Sequence, residues 1–131
     1  MIIATDFDGT MCESAWPHIG KPKWDVLKWL KTQKASGSKL ILWTCRHGDM
    51  LREAVGWSAE MGIFFDAVNE NLPEIIKRFG FDTRKVFADV YLDDKNMNVA
   101  TMSMLPVPPT FGVSRGFAKM SPRPNINKKE K

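Results

Sequence analysis

The chain has 131 residues, 44% of them hydrophobic and 26% charged, which is ordinary for one globular domain and leaves no room for a second. No apolar run approaches the roughly eighteen residues of a membrane span, no basic-then-apolar leader opens the sequence, and two cysteines, Cys12 and Cys45, are too few for a disulfide framework, so a cytoplasmic protein without a membrane partner is expected. The net charge of +4 is uneven: residues 1–114 hold 13 Lys/Arg against 14 Asp/Glu, whereas residues 115–131 hold 6 against 1.

The chain opens on MIIATDFDGT. Ile2 to Ala4 read as a short buried parallel strand that ends in two carboxylates and a glycine. Asp6 and Asp8 are two apart, so in extended backbone they project to one side, with Phe7 turned the other way into packing. Two like charges held together call for a cation, and an all-oxygen site selects a hard one such as Mg²⁺. Gly9 permits a tight turn and the Thr10 hydroxyl can tie it down. Residues 11–22, with two prolines and a glycine and no clear period, are expected to form a loop or small flap over the strand end, carrying Trp16 and His18. The spacing of Trp24, Leu27 and Leu30 predicts an amphipathic helix from Lys23 to about Ala35, opened by Pro22 and closed by Gly37.

Leu40 to Trp43 predict a second strand ending at Thr44, with Cys45, Arg46 and His47 on the rim just beyond. Arg46 suits a phosphate or substrate contact there, because guanidinium pairs with phosphate bidentately. Cys12, His18, Cys45 and His47 make a Cys₂His₂ set, but their spacings are not those of zinc modules and the carboxylates offer the better metal site. A second helix is expected over Asp49 to Met61 with Asp49 as N-cap, a third strand over Ile63 to Val68, and a short helix from Pro73 to about Phe79. Val86 to Leu92 predict a fourth strand running into Asp93 and Asp94. Val99 to Leu105 are read as a last helical turn or short strand. Pro106, Pro108 and Pro109 then end regular structure, giving a domain over residues 1–105 and a basic, flexible tail over residues 106–131. Such a tail carries the charge that a nucleic-acid contact requires.

The string DFDGT at strand one, Thr44 at the end of strand two and YLDD at the end of strand four together resemble the motifs of the haloacid dehalogenase (HAD) superfamily. The resemblance implies a three-layer, Rossmann-like α/β fold with a mainly parallel sheet, and a Mg²⁺-dependent phosphatase working through an aspartyl phosphate. It implies Asp6 as nucleophile, Asp8 as general acid and base, Thr44 on a phosphoryl oxygen with Cys45 and Arg46 beside it, and Mg²⁺ on Asp6, Asp8 (through its carbonyl), Asp93 and Asp94. The lysine of the third motif is the loose end. Lys85 would lie ~25 Å from Asp93 at ~3.3 Å per strand residue, so Lys77 is preferred, then Lys95, then Lys85, unless a bulge at Asp89 shortens the distance. Residues 11–39 and 69–85 leave no room for a cap domain. An open, capless site suits a macromolecular phosphate such as a nucleic-acid end, or a lid supplied by a second subunit in a homo-oligomer. Two other readings stand beside the phosphatase: a phosphoacceptor regulatory domain, and a nucleic-acid-binding module on the same fold without turnover.

Overall fold

A computed structural model of the chain describes residues 1–100 and 102. Its central strand is the apolar run that precedes the first aspartate. Strand β1 (Ile2–Thr5) is followed by a hairpin of β2 (Cys12–Ala15) and β3 (His18–Pro22), then by α1 (Trp24–Ala35), β4 (Lys39–Leu42), α2 (Gly48–Glu60), β5 (Ala67–Val68), α3 (Pro73–Phe79) and β6 (Val90–Leu92). The order β5-β4-β1-β6 makes a four-stranded sheet, parallel throughout, and β2-β3 a separate antiparallel pair. This is an α/β architecture compatible with a Rossmann-like fold.

Alternate residues of β1 and β4 feed two cores, as the two-residue period of a strand requires. Ile3, Leu40 and Leu42 join Leu27 and Leu30 of α1 and Ala54 of α2 on one face. Ala4, Ile41 and Ala67 join Leu72, Ile75 and Val86 on the other, where α3 packs. Covering both faces explains why β1 and β4 read as continuous apolar runs.

Several boundaries differ from the sequence expectations for identifiable reasons. Of the two alternatives for residues 11–22, the small flap is the one formed, as a hairpin over residues 12–22; its strands carry too few buried positions for an apolar alternation to mark them. The third strand shrinks to Ala67–Val68 because the Asp66 carboxylate itself accepts the Leu40 N–H (2.8 Å) and the Lys34 ammonium (2.8 Å). The fourth strand begins at Val90. Ahead of it Asp89 Oδ2 accepts the Ile2 N–H (2.6 Å) and the Asn71 side chain accepts the Phe87 N–H (2.7 Å), so side chains take the places of ladder partners. Helix α2 is capped at His47, one residue before its start at Gly48. That leaves Asp49 in the first turn, where its charge suits the helix dipole and pairs with Arg52. Helix α3 has the predicted bounds, with Pro73 at its start and Gly80 closing it at φ +86°.

Residues 1–96 form one unit; residues 97–100 and 102 belong to a second, in which the Ala100 N–H donates to Asn98 Oδ1 at 2.8 Å. The expectations for residues 103–131, including the tail, lie outside the described residues. Among the described residues no helix is long and apolar enough to cross a membrane.

Candidate functional site

After β1 the chain builds β4 and β5 outward on one side, then returns to place β6 on the other side of β1. The crevice at the carboxyl ends of β1 and β6 is therefore a topological switch point, where open α/β sheets bind ligands. Asp6 leaves β1 at this point, its N–H donating to Leu92 O at 2.8 Å, and Asp93 and Asp94 leave β6 there. Carboxylate oxygens of Asp6, Asp93 and Asp94 lie within 4.8 Å of one another.

The loop that carries Asp6 is tightly folded. Thr10 and Met11 donate their N–H groups to Phe7 O (3.1 and 2.9 Å), and the Gly9 N–H reaches Cys12 O at 2.9 Å. The Thr10 hydroxyl donates to Asp6 Oδ2 (3.3 Å) and accepts the Asp94 N–H (3.0 Å), joining the two acidic loops. Gly9, at φ +83°, is needed twice over: its backbone is left-handed, and a Cβ would lie 2.9 Å from Asp94 Cγ and overlap Oδ2. Glycine lets the third acid approach the first two.

Burial pushes the Asp6 carboxyl up to about 6, reinforced by the charges of Asp93 and Asp94 and opposed by the Phe7 N–H and the Thr10 hydroxyl. Among the described residues no ion pair engages Asp6, Asp93 or Asp94. The donor set is all oxygen, so it fits a hard divalent cation such as Mg²⁺ better than a thiophilic metal.

Asp8 stands apart from this group. Both its oxygens are held by Arg46, through Nε (2.8 Å) and Nη2 (2.7 Å), and Nη2 also donates to His18 O at 3.1 Å. Arg46 was expected on the open rim as a substrate contact. Its side chain is instead fully buried, with its guanidinium carbon 5.2 Å from the Phe7 ring centroid and 5.1 Å from that of Trp16. Nη1 is buried without a hydrogen-bond partner among the described residues. The reason for the difference is the hairpin, whose backbone and Trp16 close over the guanidinium.

Thr44 lies two residues beyond β4, where its hydroxyl accepts the Arg46 N–H (3.1 Å) and its own N–H donates to Asn69 Oδ1 (2.8 Å). Cys45 beside it is exposed. No lysine side chain is brought to Asp6 from the three expected positions. Lys77 is exposed on α3 without a polar partner among the described residues, and the Lys85 ammonium lies 5.2 Å over the Tyr91 ring. Lys95 approaches the acids only through its backbone N–H, donated to Asp93 Oδ1 at 2.9 Å. Cys12, His18, Cys45 and His47 form no metal-ligating group among the described residues.

Two contributors were not anticipated. Lys23, read only as the start of a helix, donates its ammonium to Gly9 O at 2.7 Å and so braces the acidic loop. Asn69, at φ 52°, holds Thr44 in place. An asparagine closing an apolar run was a usable signal for the second, since Asn tolerates a left-handed backbone; nothing in the spacing marks the first.

No family model and no curated protein matches the chain. A solved structure of a conserved protein from Bacteroides thetaiotaomicron does, with 40% identity and a TM-score of 0.67 over 74% of this chain and 78% of that one. At that identity and coverage the chain belongs to the same family as this conserved Bacteroides protein.

Proposed function

We propose that the protein is a Mg²⁺-dependent phosphatase of the HAD type, on a three-layer capless fold, acting through an aspartyl phosphate on a phosphate monoester such as a nucleic-acid end. The observation that carries this reading is the meeting of Asp6, Asp93 and Asp94 at the switch point, with carboxylate oxygens inside 4.8 Å. Asp6, Asp93, Asp94 and the Asp8 carbonyl would hold the metal. When bound, Mg²⁺ would neutralise charge on the carboxylates and the phosphoryl oxygens.

Asp6 attacks phosphorus, expelling the alcohol and forming the acyl phosphate; water then cleaves the P–O bond to Asp6 and releases phosphate. The Thr10 hydrogen bond to Oδ2 leaves Oδ1 as the attacking oxygen. Asp8, paired with Arg46 as a carboxylate, has to release that contact and take up a proton from solvent before it can protonate the leaving oxygen. The carboxylate left by that step then takes a proton from the attacking water. Thr44 can turn its hydroxyl toward a phosphoryl oxygen while still accepting the Arg46 N–H.

The test is hydrolysis of an aryl phosphate with Mg²⁺ and with EDTA, wild type beside Asp6→Asn. Metal-dependent turnover lost in the variant supports the reading; equal turnover in both proteins overturns it.

A further inference from the structure

We infer that a second surface, formed by the end of α3, residues 80–89 and β6, binds single-stranded nucleic acid. Four aromatic rings are exposed there in a chain of only 131 residues: Phe79 at 50%, Phe81 at 63%, Phe87 at 43% and Tyr91 at 36%. The first and third touch, with ring centroids 6.0 Å apart. Tyr91 is fixed by its hydroxyl, donated to Val86 O at 2.6 Å, next in sequence to Phe87. Phe79, Phe87 and Tyr91 are thus set by local contacts while staying partly open to solvent, which is what a stacking platform for unpaired bases requires.

The charges beside the rings supply the other half of the site. The Arg78 guanidinium lies 5.8 Å from the Phe79 centroid and the Lys85 ammonium 5.2 Å from that of Tyr91. The two acids of the segment are exposed, but each is engaged by neighbouring donors: Asp82 accepts from the Asn71 N–H and side-chain amide, and Asp89 from the Ile2 N–H. No carboxylate pairs with Arg78 or Lys85 among the described residues. Cations set beside rings match a strand that offers both phosphates and unpaired bases. A second copy of the chain is the poorer partner, because a two-fold contact through this patch sets like charges against each other. Duplex DNA is disfavoured because its bases are already stacked.

The surface does not require the acidic site to be catalytic. The two are nonetheless near in the chain: Tyr91 precedes Asp93 by two residues, about 7 Å along an extended backbone.

The experiment is fluorescence anisotropy of a labelled oligothymidylate of about twelve nucleotides titrated with the full chain. The expected result is binding that weakens steeply with salt. Phe79→Ala/Phe87→Ala should weaken it at least about tenfold, the loss of base stacking. Phe87→Leu should weaken it too, since it keeps the apolar area and removes the ring face. Arg78→Gln/Lys85→Gln should lower the salt slope by about 1.4, or ~0.7 for each phosphate no longer neutralised. The glutamine pair keeps all four rings, removing only the cations over Phe79 and Tyr91, and keeps the test intact should the alanine pair unfold. Unchanged affinity in these variants would overturn the proposal and assign any binding to the basic residues 115–131. Equal displacement by polyglutamate would overturn it in favour of an acidic peptide, and failure of the wild type to bind at low salt would overturn it outright.

Discussion

Replacing Asp6 by Asn is expected to raise the melting temperature of the metal-free protein at neutral pH and to remove its response to Mg²⁺. The carboxyl of Asp6 is pushed from 3.8 up to about 6 by burial and by the neighbouring charges of Asp93 and Asp94. The folded state therefore holds this proton more tightly than the unfolded chain does. The contribution favours folding below about pH 4 and is lost as pH rises through about 6. Two units correspond to about 3 kcal/mol at 1.36 kcal/mol per unit. Asp94 is exposed and Asp93 only half-buried, so solvent screens part of the repulsion and about 1–2 kcal/mol is a fair expectation. For a domain of this size that is about 5–10 °C. Asparagine keeps the shape and can still accept the Thr10 hydroxyl, but carries no charge at any pH. Thermal melts in EDTA at pH 7 should show the variant above wild type, and melts at pH 5 should show the two closer together. Adding Mg²⁺ at a hundred times its dissociation constant should stabilise wild type by about 2.7 kcal/mol and the variant far less. A variant that melts below wild type at pH 7 without metal, or one that gains as much from Mg²⁺, would refute the electrostatic account of the site.

The same geometry makes further demands. Gly9→Ala forces a Cβ against the Asp94 carboxylate at a left-handed backbone position, so it should cost about 1–3 kcal/mol in urea unfolding and weaken Mg²⁺ stabilisation more than Mg²⁺-free stability. Arg46→Ala leaves Asp8 without its buried partner and should lower stability by about 3–5 kcal/mol, read as a fall in the urea midpoint; a loss under 1 kcal/mol would mean that the pair is not held as seen. Asp8→Asn should retain Mg²⁺ binding by titration calorimetry and lose most turnover, with a stability loss smaller than that of Arg46→Ala because the amide oxygen still accepts one guanidinium bond.

What could be read from the sequence was whatever the chain encodes locally. A β-branched run stopped by Asp6 gave β1, and Pro73 gave the start of α3. Asp93 and Asp94 after an apolar run gave the partner loop of the site, and the Thr10 hydroxyl was correctly assigned to tying the first loop. Contacts between distant segments could not be read. Arg46 meets Asp8 across 38 residues, and only the fold shows that the hairpin buries it. The shortening of β5 and β6 has a local cause. Asp66 and Asp89 each interrupt an apolar run, and a short acidic side chain beside a backbone N–H competes with the ladder for it. The hairpin escaped because only Cys12 and Ile19 of its strands reach the core, too few to mark an apolar alternation.

The central claim is that Asp6 becomes phosphorylated. The most direct measurement is borohydride trapping during turnover of an aryl phosphate with Mg²⁺, followed by peptide mass spectrometry. An acyl phosphate at Asp6 is reduced to homoserine, so the account predicts that mass change on the peptide containing Asp6, absent in EDTA and absent in Asp6→Asn. Turnover with an unmodified Asp6 peptide, or with the change on Asp93 or Asp94, would contradict it.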